Sequence, residues 1–220
     1  MGYRSARITA LVLAMAMLCS ASCGPAAEPT STPGRAPGVT PTVAGPAVAP
    51  LALTSPAFAP GGMIPQRYSR KGDDISPPLE WGEPPAGTQS FALLVTSDPL
   101  PDGGGNWVQW ILYNIPAGSR ALPEGVAPNA EGKLPDGSQH YENSWGELRY
   151  GGPNPPHVST FKYYFELYAV DAMLDLEVVE QAARDAGTLP WIGAAKEVFL
   201  RAVEGHVLAK GELVGKYKEP

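Results

Sequence analysis

Residues 91–97 read FALLVTS and residues 107–115 read WVQWILYNI. Both runs are short, apolar and rich in β-branched and aromatic residues, and each is closed by a proline shortly after. Such residues fit a pleated, half-buried surface, and the runs have strand rather than helix length. Phe161 to Val170 (FKYYFELYAV) alternates aromatic or aliphatic residues with others, and Val207 to Tyr217 carries a weaker version of the pattern. Between these last two lie two helical segments. Leu176 to Ala186 has Asp175 as N-cap and Gly187 as a stop. Ile192 to Glu204 puts Ala195, Val198, Phe199, Ala202 and Val203 on one face and ends at Gly205. Strands dominate and helices come late, which predicts a mainly β chain: an antiparallel β-core with helices packed at one end.

Working outward, the composition bounds the function. The 220 residues include 25 Gly, 25 Pro and a net charge of -6. The Gly and Pro excess argues against a helical bundle, and the acidic balance argues against nucleic acid, which calls for a basic face. Both cysteines, Cys19 and Cys23, lie near the N-terminus, so the rest of the chain offers no disulfide, thiolate nucleophile or cysteine-ligated metal.

The first segment reads as an address. Arg4 and Arg7 precede an apolar run from Ile8 to Cys19, too short to span a bilayer, and small residues Ser20 to Ser22 lead to Cys23. This layout resembles a bacterial lipoprotein signal covering residues 1–22, with Cys23 lipidated, although Ser20 stands where the pattern prefers Leu. Ordinary cleavage near Ala21 would instead release a periplasmic or secreted protein. Once Arg4 and Arg7 are removed the charge becomes -8, so attachment to the membrane rests on acyl chains rather than on attraction to anionic lipid. Residues 24–50 are Ala, Pro, Thr, Gly and Ser with only Glu28 and Arg35 charged, and predict a disordered tether. The folded domain is expected over 51–220. The stretch from Pro116 to Arg149 is long, polar and aperiodic, which predicts a loop that either carries function or is poorly ordered.

Three stretches can carry chemistry. Asp98 sits at a strand end beside Pro99 and Pro101, which reads as a rigidly held carboxylate or as a turn-forming Asp. Trp107 and Gln109 share one face of a strand, with Val108 and Trp110 on the other. Tyr150 to Pro156 (YGGPNPP) is either a rigid pocket wall or a tight loop. His140, His157 and His206 form no metal pair at helical spacing and read as structural. No nucleophile elbow, phosphate loop or dinucleotide fingerprint occurs. No catalytic residue, metal or cofactor is expected, and the chain reads as a non-enzyme.

Taken together, residues 58–81 (FAPGGMIPQRYSRKGDDISPPLEW), PPAGTQSFALLVTSDP, WVQWILYNIP, YGGPNPP, FKYYFELYAVD and GHVLAKGELVGKY resemble the phosphatidylethanolamine-binding protein family, nearest its bacterial YbhB/YbcL or Raf-kinase-inhibitor-like branch. The resemblance runs in order from Phe58 to Tyr217. It implies an antiparallel β-sandwich of one large and one small sheet with C-terminal helices, and a small pocket that takes a phosphate or phosphorylated head group. Carried over by position, the pocket comprises Asp98 and Pro99, Trp107, Gln109, Tyr150, Gly152, Pro153, Pro155, Pro156, Phe161 and Tyr163.

The departures fall on the pocket's charge. The family's two pocket histidines are replaced by Gln109 and Phe161, Lys162 stands for an arginine, and the second Asp of the family's DPDAP is replaced or lost in Asp98-Pro99-Leu100-Pro101. Two imidazoles can become cations and hold a dianion beside a carboxylate; Gln109 can donate one neutral hydrogen bond and Phe161 none. Weak or absent phosphate binding and a more apolar pocket for a neutral ligand are therefore expected. The reading that follows is a membrane-tethered, extracytoplasmic binding protein. The alternative is an interaction or inhibitor module whose 117–149 loop docks on an exported partner such as an envelope peptidase.

Overall fold

The computed structural model describes residues 48–101, 103, 105–156, 159–189 and 194–220. The export segment 1–22, Cys23 and the tether through residue 47 lie outside the described residues, as do His157 and Ile192. In chain order the elements are β1 (Ala49–Pro50), β2 (Leu53–Thr54), β3 (Leu79–Trp81), β4 (Ser90–Pro99), β5 (Asn106–Pro116), β6 (Ala121–Leu122), β7 (Gln139–Tyr141), β8 (Phe161–Val170), α1 (Leu176–Asp185), α2 (Ala194–Val203) and β9 (Val207–Tyr217).

The four strands legible in the sequence become the body of a six-stranded sheet in the order β1-β9-β8-β4-β5-β7. The interior pairs β9-β8, β8-β4 and β4-β5 are antiparallel. A second sheet, β2-β3-β6, has three strands. Mainly β with a large sheet, a small sheet and two late helices is the expected fold.

Alternation divides the large sheet into two apolar faces. Phe91, Leu93 and Val95 of β4 join Phe165 and Leu167 of β8 in a core shared with Leu53, Leu79, Trp81 and Leu122 of the small sheet. Ala92, Leu94, Tyr168 and Val170 point the other way and pack against Leu176 of α1 and Val198, Phe199, Ala202 and Val203 of α2. Burying one such side chain completely contributes about 1.5–3 kcal/mol, so the helices need no disulfide to stay docked. The side chain of Asp175 caps α1 by accepting from Val178 N at 3.0 Å, and Gly187 and Gly205 adopt φ of 64° and 80° where the helical runs stop.

Two expectations are corrected. Ala49 and Pro50, assigned to the tether, form a parallel pair with Ala209 and Lys210 on the edge of β9. The pairing uses backbone groups alone: Pro50 has no N–H to give, and Leu51 N donates to Lys210 O at 2.9 Å. The stretch 117–149 is not a free loop. It supplies β6 to the small sheet and β7 to the edge of the large one, and its turns are closed by backbone hydrogen bonds such as Gly132 N to Asn129 O and Gly146 N to Asn143 O.

β5 carries an irregularity that positions the site. Val95 pairs with Trp110 while the next residue, Thr96, pairs with Val108, so two residues of β5 oppose one of β4. This is a β-bulge, and it puts Gln109 and Trp110 on the same side of the sheet. Trp110 therefore joins the core shared with the small sheet, while Val108 joins the helix side. Strict alternation would put Trp110 with Val108.

Candidate functional site

At one end of the large sheet, where β4 finishes and β5 and β8 begin, lies an open-mouthed cavity of about 480 Å³. That volume is within the range of small-molecule sites. It is lined by Ser97, Leu100 and Pro101 at the end of β4 and just beyond, by Trp107 and Gln109 of β5, by Trp145, by Asn154, Pro155 and Pro156, and by Phe161 and Tyr163 of β8. Among the described residues none of the lining side chains is charged.

Six of the eleven residues expected here line the cavity: Trp107, Gln109, Pro155, Pro156, Phe161 and Tyr163. The other five do not. Asp98 is turned away, and its Oδ2 accepts from the Lys162 backbone N–H at 2.9 Å while Oδ1 accepts from the Tyr164 hydroxyl at 2.8 Å. The reason is parity. Ser97 pairs with Tyr163, and side chains of directly opposed residues lie on the same face. The next residue, Asp98, thus falls on the face of Lys162 and Tyr164. Pro99 is exposed beside it.

Tyr150, Gly152 and Pro153 stand behind the cavity wall and hold it in place. Tyr150 is buried edge-on against Trp110, with ring centroids 5.6 Å apart, and its hydroxyl donates to Tyr68 O at 2.9 Å. Gly152 lies so close to the chain at Tyr68 to Arg70 that an added Cβ would be 2.2 Å from Tyr68 O. Pro153 O accepts from Arg70 N at 3.0 Å.

A charged network outside the cavity locks this loop. Asp74 Oδ1 accepts from Gly152 N at 2.7 Å, and its Oδ2 lies 2.8 Å from Arg149 Nη1 and 3.3 Å from Arg70 Nη1. Asp74 has φ 55°, a conformation that Asp and Asn tolerate better than most residues. Arg70 makes a two-point contact with Glu147 at 2.8 and 2.7 Å, and its guanidinium sits 4.5 Å from the centroid of the Trp145 ring. The Arg70 hydrogen bond, followed by the neighbouring positive charge, holds the Glu147 carboxyl down at about 2. Trp145 in turn meets Trp107 edge to face at 5.3 Å. Gly151 permits this approach, since a Cβ there would be 2.6 Å from the Trp145 ring.

Gln109 is 3% exposed. The two carbonyls beside its side-chain amide assign the amide orientation: with the nitrogen turned to them it donates to Gly151 O at 2.7 Å and to Gly152 O at 3.1 Å, while the backbone O of Gln109 accepts from Gly151 N at 2.9 Å. The expected neutral donor is therefore committed to the loop. Burial pushes the Tyr163 hydroxyl well up, so this residue contributes a neutral phenol. The arrangement offers ring faces and uncharged polar atoms, and a phosphate dianion entering it would lose hydration with no cation of the described wall to replace it.

Trp145, Ser97, Leu100, Pro101 and Asn154 complete the cavity without having been expected in it. Ser97 could have been found by counting alternate residues from Phe91. A tryptophan inside an otherwise polar stretch was the signal for Trp145.

The family model described as phosphatidylethanolamine-binding protein matches residues 54–218. A UPF0098 protein of Methanothermobacter thermautotrophicus is 42% identical over 166 residues, spanning 76% of this chain and 97% of that one. LppC of Mycobacterium tuberculosis, named as a lipoprotein, is 40% identical over 133 residues, spanning 60% of this chain and 61% of that one. The crystal structure of the homologue CT736 from Chlamydia trachomatis superposes with a TM-score of 0.62 at 32% identity, over 78% of this chain and 99% of that one. The chain belongs to the phosphatidylethanolamine-binding protein family.

Proposed function

We propose that this protein is a lipid-anchored, extracytoplasmic binding protein whose pocket departs from the phosphate and head-group pattern and takes a small uncharged ligand. One observation carries the reading: the two positions where the family pattern has imidazoles hold Gln109, with its amide nitrogen committed to Gly151 and Gly152, and Phe161. No cation of the described lining compensates, and Asp98 is engaged elsewhere.

The anchor rests on the export signal of residues 1–22 that leads to Cys23 and on the likeness to a protein named as a lipoprotein. No helix among the described residues is long and apolar enough to cross a membrane. The chain enters the large sheet far from the cavity. Ala49 pairs with Ala209 and Ala209 with Ala169, eight positions along β8 from Phe161, which is about 27 Å. This separation suits a tethered domain that meets its ligand in the aqueous phase.

Calorimetric titration of the mature chain with inorganic phosphate and phosphoethanolamine tests the pocket: neither should bind in the micromolar range, and micromolar affinity for either overturns the reading. Replacing Cys23 by alanine tests the anchor, and should move the protein from the membrane to the soluble fraction.

A further inference from the structure

Two polar side chains in the cavity wall have no hydrogen left to give. A primary amide carries two N–H bonds, and the carbonyls around Gln109 assign its nitrogen to their side, where it meets Gly151 O at 2.7 Å and Gly152 O at 3.1 Å. What Gln109 has left for an occupant is Oε1. Ser97 Oγ has a single proton and donates it to Asp98 O at 2.8 Å, while accepting from Trp107 N at 3.3 Å. Both side chains line the cavity, and both offer it lone pairs.

An occupant that brings only acceptors to this corner, such as an ether oxygen or a phosphoryl group, sets lone pairs against lone pairs. One that brings an O–H or N–H completes them. Much of the remaining wall is ring surface from Trp107, Trp145, Phe161 and Tyr163, beside the Asn154 side chain, which suits a flat apolar body stacked or packed edge-on; the buried Nε1–H of Trp107 has no partner among the described residues.

We infer that the cavity selects an uncharged, ring-bearing molecule that presents a hydrogen-bond donor, and that Gln109 Oε1 is the acceptor that selects it. This rests on the cavity being the ligand site, as proposed above.

The test uses four matched probes on the mature chain: phenol, anisole, toluene and phenyl phosphate. Binding is read from protein NMR titrations that follow the tryptophan indole N–H signals. Phenol should bind about tenfold more tightly than anisole, the scale of one hydrogen bond whose loss leaves a buried acceptor unpaired. In Gln109→Leu the phenol-to-anisole ratio should fall to about one, with the fold of the variant read independently from the dispersion of its indole N–H signals. If the variant does not fold, the phenol-to-anisole ratio of the unaltered protein decides. Anisole or toluene binding as tightly as phenol overturns the donor inference but leaves the cavity as a ligand site. Phenyl phosphate binding more tightly than phenol overturns the inference and the uncharged-ligand reading beneath it. Failure of all four probes, toluene included, removes the cavity as a ring-binding site and the inference with it.

Discussion

Glu147 joins the loop network to the cavity wall, and replacing it by glutamine preserves shape while removing charge. Its carboxylate takes both Arg70 nitrogens, at 2.8 and 2.7 Å, and lies 3.1 Å from Arg149 Nη2. These contacts pull its pKa from 4.5 to about 2, a shift that corresponds to about 3 kcal/mol. The side chains of Glu147 and Arg149 are 30% and 40% exposed, so screening by water reduces the contribution to about 2 kcal/mol. In Glu147→Gln one amide oxygen still accepts from Arg70, but the amide nitrogen opposes a second N–H. Equilibrium urea unfolding at pH 7 should register a loss of about 2 kcal/mol, or about 4–8 °C in melting temperature for a domain of this size. The pH dependence is diagnostic. A carboxyl whose folded pKa lies below its unfolded value stabilises fully above the unfolded value and loses that contribution as pH falls towards the folded one. The gap between the two proteins should therefore narrow by about half or more between pH 7 and pH 3. An unchanged gap at pH 3, or no gap at pH 7, refutes this account of the loop.

Three other perturbations separate the cavity from its supports. Gly152→Ala forces a methyl group to within 2.2 Å of Tyr68 O and should cost about 3 kcal/mol in urea unfolding; a cost below about 1 kcal/mol would mean that the chain can part there freely. His140 is buried with Nδ1 3.2 Å from Gly132 O, and burial lowers its pKa to about 4. Its ring signals should not titrate between pH 8 and 5, and stability should fall as pH drops from about 6.5 towards 4, because the unfolded chain binds the proton first; a titration midpoint near 6.5 contradicts this. Asp98→Asn weakens the contacts to Lys162 N and Tyr164 and should cost about 1 kcal/mol, leaving affinity for phenol unchanged; a clear change in affinity would put Asp98 back in the pocket.

The sequence made the long elements legible because both periodicities are strong there. The odd residues of FKYYFELYAV face the small sheet, and the apolar face of α2 packs as counted. The short strands β1, β2, β3, β6 and β7 were not legible, since two or three residues carry no period and their pairing is set by long-range register. At the site two errors have separate causes. Transfer of the family pattern put Asp98 in the pocket, whereas simple alternation from Phe91 already puts Ser97 there and Asp98 on the far face; the structure follows the alternation. For Trp110 the reverse holds, because the bulge opposite Val95 and Thr96 breaks the alternation and no glycine or proline in WVQWILYNI announces it. The arginine and carboxylate network around Asp74 was also invisible: Arg70, Asp74, Glu147 and Arg149 come from two distant stretches, and only the fold brings them behind one wall.

The central claim is that Gln109 and Phe161 have turned an anion site into an uncharged one. Crystals of the mature chain soaked in phosphate and in phosphoethanolamine, inspected between Ser97, Gln109 and Phe161, test it most directly. The account predicts no phosphoryl group within hydrogen-bond reach of Gln109 and an amide nitrogen still directed at Gly151 O and Gly152 O. A phosphate held there by a Gln109 amide that has turned to donate would contradict it.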